Sequence, residues 1–289
     1  MKTEIYQIYY SSQTRRQLDS GFIALDNREN SRPDWREYWP IRQFALKSGF
    51  TPGKRYGFVS PNFFRKTRLH AREVHAFVAG SSADIVSFSS SAMRAAHHWN
   101  VAHEAETDNR GFASLVASIL PEIGLSQNLL VRPMTFRESV YDNFFAAPAA
   151  FWLRWVELAN RVHDMAEDPD HPLSGRLNAP TVSGGAALAI KVLIIERLVA
   201  FMLANEPQWT VDAYFPYHGG VQEPEFGHGI LRLGPCERDE WLMLDGLKQA
   251  FRSTGQDAYL IAYKAAKGMI RQRQVHWRIW QEGVNRAGQ

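Results

Sequence analysis

The segment from Ala189 to Leu203, AIKVLIIERLVAFML, constrains this chain more than any other. Apolar residues fall on nearly every side of a stretch too long for an ordinary strand. A helix apolar all round is a buried one. Yet Glu196 and Arg197 stand in its middle. Glu196 lies one helical turn after Val192 and one before Val199 and Ala200, so it shares a face with core residues. An unpaired charge taken out of water costs more than one residue contributes to stability, so Glu196 is paired, protonated or turned toward a cleft. Two readings stay open: a structural ion pair with an arginine, or a catalytic carboxylate on the floor of a pocket.

Around this helix the chain alternates strand-like and helical runs. Ile5–Tyr10, Phe22–Asp26, Arg55–Pro61 and Ala83–Ser89 are rich in β-branched and aromatic residues and read as strands. A helix is expected over 37–49, with Pro33 and Asp34 at its start and Gly49 at its end. Further helices are expected over His70–Ala79, Ala92–Glu106, Gly111–Ile119 and Ala149–Met165, with a strand at Tyr141–Ala146 and an edge segment at Val211–Tyr217. EDPDHPLSG, from 167 to 175, reads as an exposed loop, and HGGVQEPEFGHG, from 218 to 229, as a turn-rich stretch. From Arg238 onward the pattern is helical. The alternation predicts an α/β fold, a three-layer α/β/α sandwich on a mostly parallel sheet. The core is expected over 1–217 and a helical C-terminal extension over 218–289.

Composition narrows the function classes. A single cysteine, Cys236, excludes an internal disulfide framework and a cysteine-rich zinc site and suits a reducing compartment. No charged leader with an apolar stretch opens the sequence. Lys191, Glu196 and Arg197 interrupt the most apolar segment below the roughly 20 residues of a membrane span. A soluble, cytoplasmic protein is the expectation. Aromatic residues make up 12% of the chain, which leans toward a ring-shaped polar ligand. A net charge of +3 does not imply nucleic acid. In the tail, Lys264, Lys267, Arg271, Arg273, Arg278 and Arg286 stand against Glu282, with Trp277 and Trp280 among them. Such a helix either touches the inner face of a membrane peripherally or packs its tryptophans on the body.

Several stretches, in order, carry a resemblance: a strand ending in Asp26-Asn27, a helix containing Tyr38-Trp39, the strand YGFVSP, then YDNFFAAPAAFWLRWVEL and IIERLVAFML. Over roughly residues 4–205 the chain resembles the GT-A-type glycosyltransferase-like proteins of bacterial surface-polysaccharide (O-antigen or capsule) gene clusters. The resemblance implies transfer of a sugar from a nucleotide-sugar donor to a saccharide or lipid-linked acceptor. It implies Glu196 as the base that takes the acceptor proton. By the same resemblance Asp26 and Asn27 hold the nucleotide's ribose or base, and Tyr10 or Tyr56 stacks on it. Arg32, Ser60, Asp84, His103, Asn143 and Arg197 complete the expected binding set.

The chain departs from this pattern at the metal. No Asp-x-Asp ends an apolar strand; after YGFV stand Ser60, Pro61 and Asn62, poor ligands beside carboxylates. Mg2+ or Mn2+ bound with the donor is therefore in doubt, and Arg28, Arg32, Arg36, Arg65 and Lys66 are candidates to neutralise a leaving diphosphate. His97, His98 and His103 lack the His-Glu-x-x-His spacing of a zinc helix, SFSSSA lacks a nucleophile elbow, and Gly184-Gly185 lacks the rest of a phosphate loop. A catalytically silent carbohydrate- or partner-binding protein on a transferase-like scaffold is the competing reading.

Overall fold

The computed structural model describes residues 1–88, 92–183, 186–214 and 235–287, without the side chains at 92–93, 182–183, 186, 235–238 and 273–287. Strands β1 (Lys2–Tyr9), β2 (Ile23–Asp26), β3 (Lys54–Val59), β4 (Ile85–Ser87), β5 (Phe145–Pro148) and β8 (Val211–Ala213) form one sheet in the order β2-β1-β3-β5-β4-β8. β6 (Pro180–Ser183) and β7 (Ala186–Ala189) make a separate antiparallel hairpin. β1 pairs in parallel with β2 and β3, and β4 with β8; β5 alone runs against its neighbours. At Gly57 in β3 a Cβ would lie 3.1 Å from the Phe145 carbonyl oxygen and 3.3 Å from Ile5 Cγ1, so the central strands close on a residue without a side chain.

Twelve helices are described: α1 (Ser12–Arg16), α2 (Tyr38–Lys47), α3 (Phe63–Thr67), α4 (Ala71–Gly80), α5 (Ala92–His97), α6 (Val101–Asp108), α7 (Phe112–Glu122), α8 (Ala149–Glu167), α9 (Ser174–Leu177), α10 (Ile190–Asn205), α11 (Pro235–Thr254) and α12 (Asp257–Ala287). Side-chain alternation along the strands builds the layers. Phe58, Ile85 and Phe145 enter a large core with α8 and α10, whereas their neighbours Val59, Val86 and Ala146 enter a second core with α3 and α4. The result is a mixed α/β fold with a mostly parallel sheet, as the alternating pattern predicts. α10 is buried along most of its length, from Lys191 to Leu203. No described helix is long and apolar enough to cross a membrane.

Three local differences from the expected elements have physical causes. The helix expected over Ala92–Glu106 breaks at Asn100, whose Oδ1 accepts the His103 N–H at 2.9 Å and caps α6, the position asparagine favours. The strand expected at Tyr141–Ala146 starts at Phe145 instead, leaving Asp142 and Asn143 in a bend at the sheet edge. Exposed-loop residues Ser174 and Gly175 belong to α9. The turn-rich stretch from 218 to 229 lies outside the described residues. α11 and α12 pack on each other and on α5 through Ala96, Trp241, Leu244, Tyr263, Ala266 and Ile270. The membrane contact expected of the tail rests on Trp277 and Trp280, whose side chains are not described.

Candidate active site at the carboxyl edge of the sheet

Chain direction decides which residues meet. Tyr10, Asn27 and Ser60 follow β1, β2 and β3 at the carboxyl edge, and the reversed β5 brings the residues preceding it, Asp142 and Asn143, to the same edge. β2 and β3 lie on opposite sides of β1, so this edge contains the switch point where open α/β sheets bind ligands. α3 follows β3 and carries Lys66, whose Nζ donates to Asp142 Oδ1 at 2.5 Å and sits 5.2 Å from the Phe144 ring centroid.

Glu196 faces this group. Its carboxylate is half-buried, and no hydrogen bond or ion pair among the described residues engages it. Burial first, and the Asp142 carboxylate second, push it up to about 7, against the pull of Lys66 and Arg197. Glu37, which immediately precedes α2, is also half-buried, and burial raises it too. Tyr10 is raised by burial first and by Glu37 second. Burial favours a neutral Lys66, but Asp142, Glu196 and Glu37 outweigh it and hold the ammonium. Tyr10, Glu37, Lys66, Asp142 and Glu196, from five places in the chain, are therefore each half-buried and near enough to influence one another's charge.

The neighbouring arginine behaves differently. Arg197 is buried; its Nη2 donates to Glu104 Oε2 at 2.6 Å and its Nε to the Val101 carbonyl at 3.2 Å. Burial alone would raise Glu104, but Arg197 and then Arg94 more than offset it. The structural ion pair open to Glu196 in the sequence is thus made by Glu104, and Arg197 is unavailable to a substrate.

Other expected residues separate in the same way. Tyr56 is buried in the large core with its hydroxyl accepting the Thr51 N–H at 2.9 Å, so it cannot stack on a nucleotide. Asp84 stands at the opposite edge of the sheet, before β4, where it accepts from the Thr210 N–H at 3.0 Å and hydroxyl at 2.7 Å. His103 accepts the Trp99 N–H at 3.2 Å and lies with His98, its ring 5.7 Å away, against Lys267 of the C-terminal helices. Ser60 is buried, its hydroxyl accepting the Asn62 N–H at 3.2 Å. Arg32 is committed to Asp34 at 2.9 Å and Glu167 at 2.7 Å.

Asp26 and Asn27 line a groove of ≈ 570 Å³ with Ser31, Trp39 and Gln43. Arg28 grips Asp26 through Nε at 3.0 Å and Nη2 at 2.7 Å, holding the carboxyl well below its usual range. Asn27 is buried with its Nδ2 unpartnered, and Asn143 is buried with its Oδ1 unpartnered. Buried polar atoms are normally satisfied, so these two, without a hydrogen-bond partner among the described residues, are exceptions at this edge. Among the described residues no group of three His, Cys, Asp or Glu side chains is placed to hold a metal ion. No protein-family model, curated protein or solved structure matches this chain.

Sequence reasoning missed Glu37, Lys66 as its counter-ion, and Asp142 as the partner of Lys66. Lys66 was legible as a candidate cation for a leaving diphosphate, and the Asp142-Asn143 pair as a polar interruption before an apolar run.

Proposed function

We propose that the chain is a glycosyltransferase on a GT-A-like scaffold, moving a sugar from a nucleotide-sugar donor to a saccharide or lipid-linked acceptor. One observation carries the reading: Glu196 is a half-buried carboxyl group near the switch-point edge that no hydrogen bond or ion pair among the described residues engages, and burial pushes it up to about 7. A general base poised near neutral pH works best in its operating range. In the reaction an acceptor hydroxyl oxygen bonds to the anomeric carbon, the bond from that carbon to the donor phosphate oxygen breaks, and the hydroxyl proton passes to Glu196. Lys66 is the ammonium nearest to hand for the negative charge on the departing oxygen. Asn27 and the groove beside Asp26 suit the nucleoside.

The test is a melting screen of the full chain with UDP-, GDP- and dTDP-sugars, followed by transfer assays with whichever stabilises it. Glu196→Gln is expected to keep the donor-induced shift and to lower turnover about 10²–10⁴-fold, the range a general base supplies. A Gln variant with full turnover removes Glu196 from the role.

A further inference from the structure

We propose that the outward face of α12 docks on an anionic lipid bilayer, lying along the surface rather than crossing it. α12 carries six basic residues, Lys264, Lys267, Arg271, Arg273, Arg278 and Arg286, against Asp257 and Glu282, a net charge of +4. The whole chain is +3, so everything outside this one helix is net −1. Positive charge gathered on one element selects an anionic partner at one place on the molecule.

Spacing sorts the described part of α12 into two stripes. Tyr263, Ala266 and Ile270, at intervals of three and four, are buried in the core that contains Ala96, Trp241 and Leu244. Ile261, Ala265 and Met269, each four residues after the last, are exposed. Ile261 is 66% exposed and Met269 64%. Lys264 and Arg271 are exposed too, and no hydrogen bond or ion pair among the described residues engages either. On the adjacent helix α11, Leu242 and Met243 are also exposed. A single exposed apolar side chain needs no explanation, but here several recur on two packed helices, beside uncommitted cations.

That combination decides between anionic partners. A nucleic-acid backbone would match the cations and leave Ile261 and Met269 in water. The interface of a bilayer takes both kinds of side chain: headgroup phosphates meet Lys264 and Arg271, and the acyl boundary takes isoleucine and methionine. The sequence after Arg271 continues in the same manner, with Val275, Trp277, Ile279 and Trp280 among Arg273 and Arg278. Tryptophan is a residue enriched where bilayers meet water. No described helix is long and apolar enough to cross a membrane, which leaves contact along its surface. Docking of α12 stands independently of sugar transfer; where both hold, the acceptor is the lipid-linked one.

The experiment sediments the full chain with vesicles of phosphatidylcholine alone, and with vesicles in which roughly one-third of the lipid is phosphatidylglycerol. Binding to the anionic vesicles and not to the neutral ones is expected. Lys264→Gln with Arg271→Gln is expected to weaken it about 10–30-fold. Ile261→Ser with Met269→Ser is expected to weaken it about 5–10-fold. Arg16→Gln with Arg72→Gln removes the same charge from exposed positions elsewhere and is expected to change binding less than about twofold. All six positions are exposed, so these variants are expected to melt with the wild type. No binding to anionic vesicles, or equal binding to neutral ones, overturns the lipid surface. A serine pair that binds as the wild type does, or duplex DNA or RNA bound more tightly than vesicles, overturns it in favour of a general polyanion site. An equal loss from the Arg16 and Arg72 pair overturns the assignment to α12.

Discussion

Lys66 and Lys248 are both ammonium groups drawn into the protein, and they are held in opposite ways. Lys248 on α11 is fully buried and donates to the carbonyls of Ala95, His98 and Met134. Two of these carbonyls end α5, so the ammonium fills the place of a helix C-cap and meets the negative end of the dipole. Burial pulls Lys248 down to about 8. Lys66 is 35% exposed, and carboxylates surround it: Asp142 in direct contact, with Glu196 and Glu37 beyond. Neutral acceptors in a closed cage fix a charge in place and serve docking of the C-terminal helices. Several carboxyl groups around one accessible cation leave protons to be shared, which is what acid–base chemistry requires.

α10 repeats the contrast within one turn of helix. Arg197 closes against Glu104 and is spent on structure; Glu196, one residue earlier, has no hydrogen-bond or ion-pair partner among the described residues. The largest effect is expected from Arg197→Met, which strands Glu104 in the core and should destabilise the fold by about 3–5 kcal/mol in urea unfolding. Loss of less than about 1 kcal/mol would show that Glu104 finds water or Arg94 instead. Lys248→Met comes next, at about 2–3 kcal/mol from carbonyls left unsatisfied. Proteolysis should then cut α11 and α12 before the sheet, and simultaneous loss of both would contradict a docked hairpin.

Lys66→Met sharpens the comparison without a large loss of stability. Lys66 pulls Glu196 down, so its removal is expected to move the acid limb of the transfer rate to higher pH by about one unit. An unmoved limb would mean that another group sets it. Gly21→Ala is a control away from both regions: its Cβ would meet Ala71 Cβ at 2.6 Å, so about 1–3 kcal/mol of stability is expected to go with the pH profile unchanged.

Much of the architecture was legible before any coordinates. Strand composition and punctuation placed β1 to β4, and the length of the apolar run identified α10 as a buried helix. Glu196 was conspicuous because it breaks that run. Periodicity did not tell which of Glu196 and Arg197 turns into the core, because a helix apolar all round has no polar face to point with. Glu37 was hidden for the reverse reason: in NRENSRPDWRE it is one charge among many, and only the Lys191–Asp34 tie and the reversal at Arg36 bring it inward. Tyr56 was assigned as a platform by the resemblance, and a strand residue's sequence does not give its depth in the core. Asp84 misled similarly, since an acidic residue beside a strand gives no sign of which sheet edge it occupies.

The raised state of the Glu196 carboxyl is tested most directly by the pH dependence of the stability difference between wild type and Glu196→Gln. Its folded pKa of about 7 lies above the ordinary 4.5, so the native state binds the extra proton between those values and loses stability as pH rises through them. Near pH 5 the protonated carboxyl and the amide should be nearly equivalent. At pH 8 the Gln variant is expected to be more stable by on the order of 1–2 kcal/mol. A difference that stays flat from pH 5 to 8, or a Gln variant less stable at pH 8, would mean that Glu196 is paired after all.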